Sequence, residues 1–149
     1  MDRPRILIVD DDQAIRATIK AILEDEGYDV EVASNGKEAI EKTQGESYNA
    51  ALLDIRLPDI EGVELLKLMK DNIPKMRKIM ITGYPSIQNA VEALNKNADA
   101  YLIKPVDVDE LLSTVRDQLR KQEEEKTFAE AKVVEFIDSR VTEIQTKHN

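Results

Sequence analysis

The sequence predicts an α/β protein, a doubly wound parallel sheet of five strands with helices on both faces and a helical extension at the C-terminal end. Two observations support this prediction. Five short apolar runs recur along the chain, and segments with helical periodicity separate them. After Pro105 no further strand-like run occurs, and the pattern becomes helical almost to the end. A chain of 149 residues can bury the core that such a sheet needs.

The five apolar runs are the predicted strands. The first, third and fourth contain almost only apolar residues, as central strands do when helices cover both faces of a sheet. The second alternates polar and apolar residues, which suits an edge strand. We therefore expect three central strands and two flanking ones. In chain order the runs are residues 6–9, 30–33, 50–53, 79–81 and 100–103.

Apolar residues at helical spacing define the helices between the strands. The first helix is predicted over residues 14–26 and the third over residues 63–69. A stripe formed by Val108, Leu112, Val115 and Leu119 belongs to the fifth helix of the domain. Glycine and proline mark where the helices end or begin, at Gly27, Gly36, Gly45, Pro58 and Pro85.

The composition excludes several classes of function. With 21 Lys and Arg against 30 Asp and Glu, the net charge is −9, so we expect no direct contact with nucleic acid and no polybasic membrane anchor. The chain has no cysteine, which excludes disulfides, cysteine–zinc sites and thiol catalysis. The single histidine, His148, is next to the last residue and gives no support to a histidine metal site or a catalytic triad. The first apolar run is too short for a signal peptide or membrane span, and we expect a cytoplasmic protein.

A second apolar stripe follows the predicted fifth helix. Residues 120–127 (RKQEEEKT) contain no apolar side chain, and we interpret them as a solvated stretch of helix. Val134, Ile137, Val141 and Ile144 then follow at spacings of three, four and three, a coiled-coil-like pattern over about two heptads. We expect a domain over residues 1–121 and, over residues 122–149, a helical extension that serves as a linker or dimerisation helix. The alternative is a helix folded back on its own domain.

Acidic side chains follow the strands at the edge where an open parallel sheet binds its ligands, the carboxyl ends of the strands. The first strand leads into Asp10, Asp11 and Asp12, and the third into Asp54. Carboxylates crowded at one edge repel one another unless a cation lies among them. Oxygen ligands favour a hard ion that keeps several waters, so the sequence predicts a Mg²⁺ site.

A hydroxyl and an ammonium group complete this edge. The fourth strand leads into Thr82 and Gly83, and the fifth into Lys104. Together with Mg²⁺, Lys104 can offset the charge of a phosphoryl group, Thr82 can donate a hydrogen bond to it, and Gly83 leaves room for it. Asp54, alone at the end of a central strand, is the best placed nucleophile, because a carboxylate can form an acyl phosphate.

These motifs resemble the receiver domain of two-component response regulators. The resemblance covers about residues 4–121, with the motifs in the family's order and at its usual spacing. It implies a flavodoxin-like fold with the strand order 2-1-3-4-5. The motifs are ILIVDDD at 6–12, LLDIRLPDIEG at 52–62, IMITG at 79–83 and YLIKP at 101–105.

The resemblance also implies roles for the site residues. Asp54 is then the phosphoacceptor, which takes a phosphoryl group from a sensor histidine kinase or a phosphotransfer protein. Asp11 and Asp54 bind Mg²⁺ directly, Asp10 acts mainly through water, and the backbone carbonyl of Arg56 is the remaining protein ligand. Lys104 pairs with the phosphoryl oxygens.

Neighbouring residues take supporting roles in the same family. The peptide bond between Lys104 and Pro105 is expected to be cis. Asp12 is expected to cap the first helix rather than bind metal. Arg56 and Tyr84 are expected to line the entrance of the site and to influence how fast water removes the phosphoryl group.

Thr82 and Tyr101 are the switch pair that the resemblance implies. The hydroxyl moves toward the phosphoryl group, and the aromatic ring on the fifth strand turns inward. This rearranges a face made by the fourth helix, the fifth strand and the fifth helix, which controls an output partner or domain. A homodimer could use either this face or the C-terminal helix. Such a protein is not an enzyme beyond its own phosphorylation and dephosphorylation.

Three alternatives stay open on the residues alone. Haloacid dehalogenase phosphatases also combine an Asp nucleophile, Mg²⁺, Thr or Ser and Lys. Their nucleophile would be Asp10, but Ala14 stands where they prefer Thr or Val, and only helices follow Lys104 where they need further acids. A nucleotide-binding module lacks its glycine motifs here. A receiver-like scaffold that is never phosphorylated would not need the complete set of acids, Thr and Lys.

Overall fold

The computed structural model describes residues 3–69, 74–83, 86 and 98–148, and strands alternate with helices through most of this range. The predicted fourth helix after Pro85, and Tyr84, lie outside the described residues. The elements are β1 (Arg5–Val9), α1 (Gln13–Asp25), β2 (Asp29–Ala33), α2 (Gly36–Gly45), β3 (Ala50–Asp54), α3 (Gly62–Leu68), β4 (Arg77–Thr82), β5 (Ala100–Ile103) and the C-terminal helix (Val108–His148).

The five strands form one parallel sheet in the order β2-β1-β3-β4-β5. This confirms the predicted fold class and strand order. All residues of β3 and β4 are buried, and β2 lies at one edge with its first residue exposed, as the alternation of its sequence predicts. The order reverses between β1 and β3, so the carboxyl ends of β1 and β3 flank the crevice in which such sheets bind their ligands.

Two apolar cores cover the two faces of the sheet. Successive residues of β1 point to opposite faces, with Ile6 and Ile8 in one core and Leu7 and Val9 in the other. The first core also contains residues of α1 and the C-terminal helix, and the second contains residues of α2 and α3. Helices therefore cover both faces, which is why the central strands are continuous apolar runs.

Helix α1 begins as the sequence predicts. The Asp12 side chain accepts a hydrogen bond from the backbone N–H of Ile15 at 3.1 Å, which confirms Asp12 as the cap. The helix ends at Asp25, and Gly27 follows with a φ of 96°, a conformation that favours glycine. The predicted boundaries of α1 and α3 each differ from the observed ones by one residue.

Strand β4 is longer than its apolar run, because it begins at Arg77 rather than at Ile79. It also extends one residue further, to Thr82, and all three added residues are buried. Arg77 forms an ion pair with Asp99 at 3.3 Å, and the backbone N–H of Lys78 donates to the same carboxylate at 2.8 Å. An apolar criterion cannot find such residues, since backbone pairing with β3 and a carboxylate outside the strand hold them in the sheet.

The C-terminal helix is continuous over 41 residues and includes the charged stretch at 120–127. Every residue from 123 to 144 is exposed, including Val134, Ile137, Val141 and Ile144, so this segment does not pack on its own domain. The predicted boundary after residue 121 lies inside this unbroken helix. Within the described part of the chain, no helix combines the length and apolar character needed to cross a membrane.

Gln122 is buried, unlike residues 123–144 that follow it, and so differs from the predicted solvated stretch around it. Its side-chain amide donates to the backbone carbonyls of Asn49 at 3.0 Å and Lys75 at 2.9 Å. Its oxygen accepts from the Asn49 side chain at 3.1 Å. Close by, Glu125 pairs with Arg77 of β4. Polar contacts therefore fix the helix where it leaves the sheet.

We expect Gln122→Ala to lower the free energy of unfolding by about 1–3 kcal/mol, because it removes the three hydrogen bonds of a buried side chain. Urea denaturation of the full chain measures the change. The matched control is Glu123→Ala, at the exposed next position of the same helix, for which we expect a change of less than about 0.5 kcal/mol. Equal stability of the two variants would contradict the role assigned to Gln122.

Candidate functional site

The predicted site residues meet at the carboxyl edge of the sheet. Asp10 follows β1, Asp54 and Thr82 end β3 and β4, and Lys104 follows β5. The backbone N–H of Lys104 donates to the carbonyl of Thr82 at 2.7 Å, which continues the pairing of the two strands beyond β5. The Lys104–Pro105 peptide bond is cis, as predicted. Parallel register thus brings together residues that are far apart in the chain.

Lys104 links the two most buried carboxylates of the site. Its Nζ lies 3.0 Å from an oxygen of Asp10 and 3.0 Å from an oxygen of Asp54. Burial alone would lower the pKa of Lys104, but the hydrogen bonds to these two carboxylates outweigh it, and the pKa is raised above its ordinary value. Lys104 therefore remains a fixed positive charge beside Asp54.

Asp10 is held as a buried acid. It is 3 % exposed, and burial raises its pKa above the ordinary value, although the N–H of Asp12 and the ammonium of Lys104 act in the opposite direction. The Asp12 N–H donates to the second oxygen of the Asp10 carboxylate at 2.9 Å. A buried carboxylate with this shift is stabilised by a further positive charge nearby.

The donor set fits a divalent cation. Carboxylate oxygens of Asp10, Asp11 and Asp54 lie within 4.8 Å of one another. Three carboxylates and the single ammonium of Lys104 leave two formal negative charges. Oxygen donors with this charge suit Mg²⁺, which needs few protein ligands and keeps several waters. These are the three carboxylates predicted from the sequence to hold the metal, together with the backbone carbonyl of Arg56.

An open cleft of about 540 Å³ gives access to the site, and its lining is mainly polar. Asp54 is 8 % exposed at its base, and Thr82 is completely buried beneath the surface. A methyl group at Gly83 would lie 3.8 Å from the Lys104 side chain, an ordinary contact, so the room in the cleft does not depend on glycine there. The lining residues are Asp11, Asp54, Arg56, Gly83 and Lys104.

Tyr101 lies on β5, next to the strand that carries Thr82. Its backbone is paired with Met80, and its ring is partly buried against the core that contains Met80 and Leu53. The hydroxyl oxygen is buried and has no hydrogen-bond partner among the described residues. The fourth helix of the predicted switch face is outside those residues, so the structure places two of its three elements.

Gly62 is a site residue that the sequence analysis quotes in a motif but does not single out. A Cβ at this position would lie 2.3 Å from the backbone oxygen of Asp54, much closer than atoms can approach. The Gly62 N–H donates to the carbonyl of Ile55 at 2.6 Å. Only glycine lets the start of α3 come this close to the end of β3.

Asp59 is a second residue that the sequence analysis passes over. Its two carboxylate oxygens accept hydrogen bonds from the backbone N–H groups of Gly36 and Lys37, each at 2.9 Å. These N–H groups lower the pKa of Asp59, although its side chain is exposed to solvent. The contact joins residues more than twenty positions apart, so no local pattern could reveal it.

Comparison with known proteins identifies the family. The sequence model described as the response regulator receiver domain matches residues 6–116. The chain belongs to this family. A receiver domain protein (CheY-like) from Methanospirillum hungatei JF-1 has a crystal structure that is 50% identical, with a TM-score of 0.79, over 83% of this chain and 99% of that chain.

Two further similar proteins are a transcriptional regulatory protein and a receiver domain solved as a dimer. The transcriptional regulatory protein ZraR of Klebsiella oxytoca is 40% identical over 114 residues, 76% of this chain and 26% of that protein. The beryllofluoride-activated receiver domain dimer of NtrC4, solved in solution, is 36% identical with a TM-score of 0.74, over 79% of this chain and 98% of that chain. The chain spans about a quarter of the length of ZraR and about half that of other curated relatives. It is thus a receiver domain of two-component signalling.

We expect Gly62→Ala to lower the free energy of unfolding by about 1–3 kcal/mol, because the added methyl group forces α3 away from the end of β3. Thermal or urea unfolding measures the change. Gly45→Ala is the control, since a Cβ there meets no atom within 4 Å. If the two variants lost the same stability, the close approach at Gly62 would not be a requirement of the fold.

Proposed function

We propose that this receiver domain takes a phosphoryl group onto Asp54 from the phosphohistidine of a sensor histidine kinase or a phosphotransfer protein. The observation that supports it most directly is the convergence of Asp10, Asp11, Asp54 and Lys104 in one open cleft. The acid pair, the central acceptor and the lysine come from three different strand ends. Structural ion pairs alone would not need an access cleft.

The transfer is a displacement at phosphorus. An oxygen of Asp54 forms a bond to phosphorus while the phosphorus–nitrogen bond of the donor breaks, and the electron pair of that bond stays on the imidazole. Two hydrogen bonds orient the Asp54 carboxylate, one from the Arg56 N–H at 3.0 Å and one from Lys104 at 3.0 Å. Such orientation lowers the entropic part of the barrier. Lys104 is placed to offset charge on the phosphoryl oxygens.

The metal belongs to the same proposal. Asp11 and Asp54 would hold Mg²⁺ directly, Asp10 would act mainly through water, and the backbone carbonyl of Arg56 would be the fourth protein group. When bound, Mg²⁺ offsets the negative charge of the transferred group. The grouping of the three carboxylates and their excess of negative charge support this assignment.

Thr82 and Tyr101 are proposed as the switch pair. They lie on adjacent strands, where β4 and β5 are in register from Ile79 to Thr82. Thr82 is buried next to the site, and the Tyr101 ring packs on a core that includes a residue of the same strand as Thr82, Met80. When the Thr82 hydroxyl moves toward a phosphoryl group on Asp54, the packing of the side chains around the Tyr101 ring changes. The face around β5 then controls an output partner.

We also propose a reaction class, partners and a cellular location for this chain. The chain catalyses only its own phosphorylation and dephosphorylation, and it works in the cytoplasm without contacting membranes. Its net charge of −9 argues against direct contact with nucleic acid. Arg56 lines the cleft and is exposed, which suits a role in limiting the access of water to the phosphoryl group.

The C-terminal helix is proposed to form a homodimer contact. Val134, Ile137, Val141 and Ile144 repeat at coiled-coil spacing, and each is about half exposed. A second copy of the same helix would cover this stripe with matching residues. The beryllofluoride-activated NtrC4 receiver domain is a dimer, which is a property of that relative and supports testing the same property here.

We expect incubation with Mg²⁺ and acetyl phosphate to add one phosphoryl group to the chain and to add none to Asp54→Asn. Intact mass spectrometry measures the gain. Asp25→Asn, an exposed change at the end of α1, should react like the unchanged chain. In Asp10→Asn we expect slower but detectable addition, since Asp54 is still present.

Other outcomes would select the alternatives. If Asp54→Asn kept the phosphoryl group and Asp10→Asn lost it, the phosphatase-like interpretation with Asp10 as nucleophile would replace this proposal. If a folded, Mg²⁺-binding chain gained nothing from acetyl phosphate or from phosphohistidine donors, the chain would be a binding module that works without phosphorylation.

We expect light scattering at high protein concentration to show a dimer for the full chain and a monomer for Ile137→Asp, because a charge cannot be buried in the helix contact. Ser139→Asp adds the same charge two residues away, on the side opposite the stripe, and should leave the dimer intact. A strictly monomeric chain, with and without phosphodonor, would refute the contact.

A further inference from the structure

The loop between Asp54 and α3, residues 55–61, is fixed to the sheet at its two ends. The Arg56 N–H donates to the Asp54 carboxylate, and the Gly62 N–H donates to the carbonyl of Ile55. Arg56 and Glu61 also form an antiparallel bridge. The loop therefore closes on itself directly beside the phosphoacceptor, and its middle part projects toward α2.

The middle of the loop is seated on the N-terminus of α2. Asp59 accepts one hydrogen bond on each carboxylate oxygen, from Gly36 and Lys37. Ile60 packs against Gly36 so closely that a Cβ there would lie 2.2 Å from the Ile60 side chain. Both a polar and an apolar contact thus hold the loop on this helix, and the apolar one needs glycine at position 36 because a Cβ there would collide with the Ile60 side chain.

Helix α2 has its own caps apart from Asp59. The Asn35 side chain accepts from the N–H of Glu38 at 2.9 Å, and the Glu38 carboxylate accepts from the N–H of Ser34 at 3.0 Å. This arrangement resembles a capping box, in which side chains at the start of a helix satisfy nearby N–H groups. The bonds of Asp59 satisfy the N–H groups of Gly36 and Lys37 from outside the helix. Unlike the caps, the bonds of Asp59 also hold the loop against α2.

We propose that Asp59 is a positioning residue for the metal site, which holds the loop on α2 and thereby sets the position of Arg56. This rests on the proposed function, in which the Arg56 carbonyl is a Mg²⁺ ligand. Only two residues separate Arg56 from Asp59, one of them Pro58 with its restricted backbone. With Asp54 at one end and Asp59 at the other, the Arg56 peptide has little freedom. Removing Asp59 frees it.

Substitution of Asp59 in the full chain tests this inference. Asp59→Ala removes both bonds, and Asp59→Asn keeps one acceptor oxygen and loses the charge. Asn35→Ala is the matched control, because it removes a cap of α2 without touching the loop. Glu41→Gln removes one negative charge from an exposed position of the same helix. Circular dichroism establishes that each variant is folded.

Two measurements separate positioning from simple destabilisation. Calorimetric titration with MgCl₂ gives the Mg²⁺ affinity without any phosphodonor. Phosphorylation by acetyl phosphate over a series of Mg²⁺ concentrations then gives the half-saturating concentration and the plateau rate separately. We expect Asp59→Ala to weaken Mg²⁺ binding about tenfold and to raise half-saturation equally, with the plateau rate within twofold of the unchanged chain.

The variants should then fall in a defined order. Asp59→Asn should lie between the unchanged chain and Asp59→Ala, and Asn35→Ala and Glu41→Gln should bind Mg²⁺ within twofold of the unchanged chain. The proposal is overturned if Asp59→Ala also stays within twofold, or if Asn35→Ala weakens binding as much. Should Asp59→Ala fail to fold, Asp59→Asn decides, with a loss of at least threefold required.

Failure of the proposed function would give a different result. If the unchanged chain bound Mg²⁺ but accepted no phosphoryl group, the phosphotransfer proposal would fall, and the calorimetric comparison of the variants would still decide the role of Asp59. In the absence of metal, amide hydrogen exchange gives a further check. Gly36 and Lys37 should exchange faster in Asp59→Ala than in Glu41→Gln, because their N–H groups lose their acceptors.

Discussion

The carboxyl edge of the sheet depends on one electrostatic constraint, the burial of carboxylates from separate strands around a single lysine. Asp10 and Asp54 are both nearly buried, and Lys104 lies 3.0 Å from each. Two carboxylates this close to each other are tolerated because a cation lies between them. The arrangement requires β1, β3 and β5 to end at the same level, so strand register and the charge balance of the site are set together.

The excess of negative charge makes the site responsive rather than simply stable. Lys104 offsets only one of the three carboxylates, and burial keeps the pKa of Asp10 raised. A bound cation, or a group on Asp54 that draws Lys104 to itself, changes this balance. Thr82 and Tyr101 lie on the two strands next to these charges. Packed side chains are therefore the immediate neighbours of any local redistribution of charge.

The sequence was sufficient to predict the sheet and the residues at its carboxyl edge, because its apolar runs mark the strands and their ends. The strand order was predicted from the resemblance to receiver domains. It also predicted the Asp12 cap, which depends on local geometry. It could not predict contacts that only the tertiary structure creates. The hydrogen bonds of Asp59 to the start of α2 join distant segments, and Gln122 lies in a stretch whose sequence is polar throughout, so its partners beside the sheet cannot be seen from the sequence. The requirement for glycine at position 62 is visible only from its distance to the Asp54 carbonyl in the folded chain.

The C-terminal helix connects the two ends of the sheet. It begins at Val108, shortly after Lys104 and Pro105 at the carboxyl edge, and its buried residue Gln122 contacts the segments that precede β3 and β4 at the opposite edge. The fourteen residue-to-residue steps from Val108 to Gln122 span about 21 Å at 1.5 Å each. The exposed apolar stripe lies on the continuation of the same unbroken helix. The part of this helix that packs on the sheet and the part that carries the stripe therefore belong to one continuous element.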